Sequence, residues 1–169
     1  GEGNNDTIDG DAHSGGSGDT IQLSTGSHTF ATDNKVLNIE TIATHSSGST
    51  VVLTGQTENF TITGNSGADI ITGGNAVDTV NAGSGNDSIT GGAGNDIITG
   101  GSGNDTFNVN TGTDTVTDLS SGDRFIVSSG ATMNATDIAT FVADSNSTNS
   151  GTANLTARSA GGTIKMNSA

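Results

Sequence analysis

Seven aspartates stand nine residues apart: Asp69, Asp78, Asp87, Asp96, Asp105, Asp114 and Asp123. Such a column of carboxylates, with no cysteine in the chain and its three histidines (His13, His28 and His45) scattered, offers only oxygen donors. Carboxylate and backbone carbonyl oxygens suit a hard cation that takes six to eight oxygens, calcium before magnesium. Like charges brought close together by a regular repeat also require a counter-ion between them. The chemistry that these residues predict is therefore cation binding. Catalysis has little to stand on, because no HExxH helix or GxSxG elbow is present and Glu2, Glu40 and Glu58 have no matched partner.

The composition agrees with that reading. Eighteen acidic residues oppose four basic ones for a net charge of -14, which repels nucleic acid phosphates and anionic membrane surfaces and attracts cations. Leu, Ile, Val and Phe supply 32 of 169 residues, a low apolar content that with this charge predicts disorder. Yet proline is absent, and Gly, Thr, Ser, Asn and Asp supply 108 residues, the vocabulary of turns joined by short strands. No run of apolar residues is long enough to span a membrane. The chain begins at Gly1 without Met or a leader and reads as a piece of a longer protein.

The elements that would position the aspartates are visible as a nine-residue repeat. From Gly64 the blocks read GNSGADIIT, GGNAVDTVN, AGSGNDSIT, GGAGNDIIT, GGSGNDTFN, VNTGTDTVT and DLSSGDRFI, with aspartate always sixth. The eighth place is always apolar: Ile71, Val80, Ile89, Ile98, Phe107, Val116 and Phe125. Gly and Asn in places one to five reach positive φ cheaply and make a turn. Places six to nine alternate as a short strand with one side chain inward. So short a strand buries little, so two units should form one coil of a parallel two-sheet solenoid. Units two apart then share an edge, giving one column of Asp69, Asp87, Asp105 and Asp123 and another of Asp78, Asp96 and Asp114.

The same register run upstream places Ile62 and Leu53 eighth, predicting nine units over 46–126, without charged turns before Gly64. Residues 22–45 have strand-like fragments but no clear register. At the N-terminus the pattern returns in part, with Asp6 and Ile8, then Asp19 and Ile21 after an insertion around His13. The organisation predicted is an irregular solenoid over 1–63, a regular one over 64–126, and a C-terminal β cap or next module over 127–169. The fragments 141–147, 153–159 and 162–167 read as antiparallel strands, with Asp137 and Asp144 balanced by Arg158 and Lys165. Outward threonines in the ninth place (Thr63, Thr72, Thr90, Thr99 and Thr117) read as favoured strand residues rather than as an ice-binding array.

GGAGNDIIT at 91–99 and GGSGNDTFN at 100–108 match every place of GGxGxDxUx, and so the chain resembles the RTX proteins. The segment 113–127, TDTVTDLSSGDRFIV, resembles that family's closing turns. The resemblance implies an all-β fold, a parallel β-roll with several Ca²⁺ ions between loops of successive turns. Implied ligands are the sixth-place carboxylates, with Asp6 and Asp19 in the partial repeats, and oxygens from the first four places. Carried over, those loop residues are Gly64 and Gly67, then Gly73 and Gly74, then Ala82, Gly83, Ser84 and Gly85. They continue as Gly91, Gly92, Ala93 and Gly94, then Gly100, Gly101, Ser102 and Gly103, and end at Gly112. The best sites would pair the loops of Asp69 with Asp87, Asp78 with Asp96, Asp87 with Asp105, and Asp96 with Asp114. Ala76, Val77, Val109 and Asn110 depart from the pattern and weaken their loops.

By this resemblance the chain is a non-enzymatic, calcium-binding structural domain of a secreted or surface bacterial protein, S-layer or adhesin in type. It would be exported by type I secretion and fold in extracellular calcium. The alternative is the C-terminal RTX domain of a secreted protease or lipase. Expected partners are calcium ions, copies of itself or surface polysaccharide, with no nucleic acid and no membrane span.

Overall fold

The computed structural model describes residues 8–9, 19–30, 36–37, 39–143 and 145–166, and their regular elements are all strands. Each nonapeptide supplies one strand of about three residues, too short to bury its inward side chain alone. Stacking solves this. One sheet runs Gly26–Thr29, Ser49–Val52, Ile70–Thr72, Ser88–Thr90, Thr106–Val109, Arg124–Val127 and Thr148–Asn149. The other runs Thr20–Gln22, Thr41–Ala43, Thr61–Thr63, Thr79–Asn81, Ile97–Thr99, Thr113–Val116, Thr132–Ile138 and Thr152–Ala157. Successive strands in the chain alternate between the sheets over most of this length, and every neighbouring pair is parallel. Two further pairs, Ile8–Asp9 with Val36–Leu37 and Thr140–Val142 with Thr163–Lys165, are parallel as well.

The eighth-place residues form the core as two facing ladders. Val51, Ile71, Ile89, Phe107 and Phe125 stack in one sheet, and Ile42, Ile62, Val80, Ile98, Val116 and Ala135 in the other. All of them are fully buried. The all-β parallel β-roll implied by the repeat is the observed fold.

Three expectations are corrected. Val51, not Leu53, is the ladder partner of Ile71. The coil is two residues longer here than the repeat, and in a strand an offset of two keeps the same face inward, so Leu53 is buried as well. Secondly, Thr41–Ala43, within 22–45, does hold the register: Ile21, Ile42 and Ile62 are successive ladder partners. Their spacings of 21 and 20 hid them from a search at 18, because the extra residues are taken up between strands. Thirdly, the strands after residue 127 are parallel continuations of the coil, not antiparallel. Thr113–Val116 and Arg124–Val127 expose parallel edges, and the next strands complete them in the same sense. Alternation along a strand carries no information about its direction. Met133, Ile138 and Phe141 extend the core, and the Phe141 ring lies 5.6 Å from that of Phe125.

Candidate metal centre

The turns that carry the aspartates are shaped by their second and fourth places. In loops 64–69, 82–87, 91–96 and 100–105 both places have positive φ: Asn65 and Gly67, Gly83 and Gly85, Gly92 and Gly94, Gly101 and Gly103. Glycine is required at Gly92 and Gly94 for a second reason. A Cβ at either would collide with the carbonyl oxygen of Gly74 or Ala76 in the coil below, so backbone carbonyls crowd the gap between loops. Gly73 likewise faces the Gly91 carbonyl, Gly64 that of Ala82, Gly103 that of Gly85 and Gly112 that of Gly94. The loops are joined by Ala93 N–H to Gly74 O, Ser102 N–H to Gly83 O and Gly85 N–H to Ser102 O, all 2.8–2.9 Å. Ser66, Ser84 and Ser102 stack as bridges, and the hydroxyls of Ser102 and Ser84 lie 3.1 Å apart. Loop 73–78 has no positive φ and loop 109–114 has it only at Gly112, which are the loops with Ala76 and with Val109 and Asn110.

All seven sixth-place aspartates are buried, none more than 3 % exposed. One carboxylate oxygen of each has the same task. Asp87 Oδ1 accepts from Asp69 N–H, Asp105 from Asp87 and Asp123 from Asp105, at 2.8–2.9 Å. In the second column Asp96 accepts from Asp78 and Asp114 from Asp96, at 2.9 and 3.1 Å. The columns end upstream where Ser49 and Phe60 take the sixth place and donate to Asp69 and Asp78 at 2.7 and 2.8 Å. The two predicted columns are thus real, and each aspartate is hydrogen-bonded to the coil before it.

The second oxygens divide. Asp69 Oδ2 lies 3.3 Å from the Thr44 hydroxyl, Asp78 Oδ2 accepts from Gly74 N–H at 2.8 Å, and Asp123 Oδ2 accepts from Ser120 N–H and hydroxyl at 2.7 and 3.0 Å. Oδ2 of Asp87, Asp96 and Asp114 is buried with no partner. A buried carboxylate oxygen without a donor is costly, and a cation is what would satisfy it. The first-place glycine keeps room beside it: a Cβ on Gly91 would strike Asp96 Oδ2. Among the described residues no three acidic, histidine or cysteine side chains converge, so an ion here must complete its shell with carbonyl oxygens. The oxygen-only donor set and the crowded carbonyls fit calcium. When bound, the ion supplies positive charge between stacked carboxylates; the chain's own residues supply the cradle and its spacing.

Burial raises the pKa of all seven aspartates. Asp78 and Asp87 are pushed up to about 6 and Asp114 to about 7, by desolvation first, with stacked neighbours such as Asp96 adding repulsion and the backbone N–H bonds opposing. Without metal, the coil therefore holds more protons than the unfolded chain. The stability these groups lend is fully present below about pH 3.8 and is lost as pH rises through about 6 to 7. In excess chelator, circular dichroism is expected to show more strand signal at pH 4.5 than at pH 8. Equal signal at the two pH values would contradict this.

Two acidic residues escaped sequence reasoning. Asp118, first in its block, accepts from Gly100 N–H at 3.0 Å and Gly101 N–H at 2.6 Å and adds repulsion at Asp105 and Asp123. Glu40 has a matched partner after all. Its Oε2 accepts from Asp19 N–H at 2.7 Å, the same link that joins the aspartates. The signal was ETI at 40–42 against DTI at 19–21, masked by the 21-residue spacing. Asp19 is half-buried beside Glu40, and the residues that lead into it, like Asp6, lie outside the described residues.

The model of the RTX calcium-binding nonapeptide repeat matches residues 61–89 and 81–116, in four copies. Searches of curated proteins and of solved structures return no match. The matched stretch contains six of the seven stacked aspartates and the stacked serines Ser66, Ser84 and Ser102, all on one parallel coil. Nonapeptide, coil and buried carboxylate columns coincide, so this chain is a calcium-binding structural domain whose residues 61–116 are RTX calcium-binding nonapeptide repeats wound as a β-roll.

Proposed function

We propose that this domain belongs to a secreted or cell-surface bacterial protein of S-layer or adhesin type, and that it folds when it meets calcium outside the cell. The observation that carries the reading is the set of three buried, unpartnered carboxylate oxygens at Asp87, Asp96 and Asp114. At neutral pH a coil with these groups ionised needs a cation, and a chain kept from calcium stays unfolded and exportable. The ligands are the sixth-place carboxylates with carbonyls of places one to four in the stacked loops. Extended Thr-, Ser- and Asn-rich ladders, continuing through Thr152–Ala157, suit a spacer or lattice unit whose neighbours are copies of itself or surface polysaccharide. A type I-secreted enzyme's C-terminal domain is the second reading, carried by the closing-turn resemblance of residues 113–127.

Isothermal titration at pH 7.5 tests the metal. Calcium is expected to bind in the weak range of extracellular modules, about 10⁻⁴–10⁻³ M, and magnesium at the same concentrations to give no comparable heat. Equal binding of both, or of neither, would refute the calcium reading.

A further inference from the structure

The two aspartate columns have four ends: Asp69 and Asp123 in one, Asp78 and Asp114 in the other. Three ends differ from the interior in one respect, which is that a protein donor sits on the second carboxylate oxygen. At Asp69 the Thr44 hydroxyl lies 2.5 Å from the Gly64 carbonyl oxygen and 3.3 Å from Asp69 Oδ2. It thus sits on a first-place carbonyl and a sixth-place carboxylate of one loop, the two kinds of oxygen that an ion would draw on. Thr44 and both oxygens' residues are held in place, since Thr44 and Asp69 are buried to 0 and 1 % exposure. At Asp123 the donors are the Ser120 amide and hydroxyl. At Asp78 the donor is the Gly74 amide, in the loop whose backbone lacks the left-handed residues of its neighbours.

Resting on the calcium reading above, we infer that Thr44, Ser120 and the Gly74 amide are stop groups that close the columns in place of an ion. Calcium is then confined to the four positions without such a donor, those of Asp87, Asp96, Asp105 and Asp114. A donor hydrogen and a cation compete for one oxygen, and a buried oxygen already satisfied gains little from an ion that must shed water to reach it. The device lets a solenoid end its run of metal sites without ending the coil. That matches Ser49 and Phe60 carrying the ladder upstream with no carboxylate.

Native mass spectrometry of the chain in calcium counts the ions. Wild type is expected to carry four. Asp87→Asn should lose one. Thr44→Val conserves shape and removes only the hydroxyl, which frees Gly64 O and Asp69 Oδ2 together, so it should gain one ion. This gain does not depend on any aspartate variant folding. More than four ions in wild type, or an unchanged count in Thr44→Val, would each overturn the stop groups while leaving calcium binding intact. A wild type that takes no calcium would overturn both.

Discussion

In excess chelator at pH 8 the chain is expected to lose most of its strand signal in circular dichroism, and calcium at millimolar order to restore it. Neighbouring aspartates in a column are one strand spacing apart, about 5 Å. Two unit charges at that distance repel by about 3 kcal/mol at an effective dielectric constant near 20. Five such neighbouring pairs occur in the two columns. Their summed repulsion is comparable to the whole stability of an ordinary domain, about 5–15 kcal/mol. Protonation relieves it only in acid, since burial lifts Asp78 and Asp87 to about 6 and Asp114 to about 7. At pH 8 a divalent ion is the remaining remedy, and its binding free energy becomes folding free energy. Strand content that is equal in chelator and in calcium at pH 8 would exclude the coupling.

Asp96→Ala is expected to raise the calcium concentration needed for half-folding by about tenfold or more. Asp96 Oδ1 accepts from the buried Asp78 N–H, its own N–H donates to Asp114, and its Oδ2 is one of the three unpartnered oxygens. The truncation leaves the Asp78 N–H without an acceptor, at a cost of about 1–3 kcal/mol, and each 1.4 kcal/mol is a factor of ten. It also withdraws the only sixth-place carboxylate between loops 73–78 and 109–114. Asp96→Asn separates these effects with a change of sign. Its amide oxygen still accepts from Asp78, while a charge is removed from the middle of a column. In chelator it should keep more strand signal than wild type, and in saturating calcium it should melt lower. The control is Asp137→Asn, which weakens only an exposed pair with Arg158 at 3.3 Å, keeps a residue type that tolerates the positive φ there, and should change neither readout appreciably. An Asp96→Ala calcium curve that overlies wild type would show that this column carries no ion.

The strict spacing of 64–126 made coil, columns and core ladder legible, because an invariant aspartate and an invariant apolar residue every nine places leave one way to stack. Legibility failed where spacing drifted. Ile42 and Glu40 sit in the same columns as Ile62 and Phe60, yet two or three extra loop residues removed them from the periodic pattern. Loops absorb such insertions at little energetic cost, whereas a register search does not tolerate them. The strands after 127 were visible as strands, but their parallel sense was decided by the open edge left by Arg124–Val127.

The sequence by itself determined the repeat, the inward ladder, the charge and hence the cation, since these follow from residue types at fixed intervals. Only the tertiary structure decided which carboxylate oxygens lack a donor. Thr44 lies 25 residues from Asp69, and Ser120, third in its block like Ser66, Ser84 and Ser102, is the one whose amide and hydroxyl both meet Asp123. Whether an oxygen meets a hydroxyl, an amide or empty space depends on the coil that folds against it, a relation no spacing along the chain encodes.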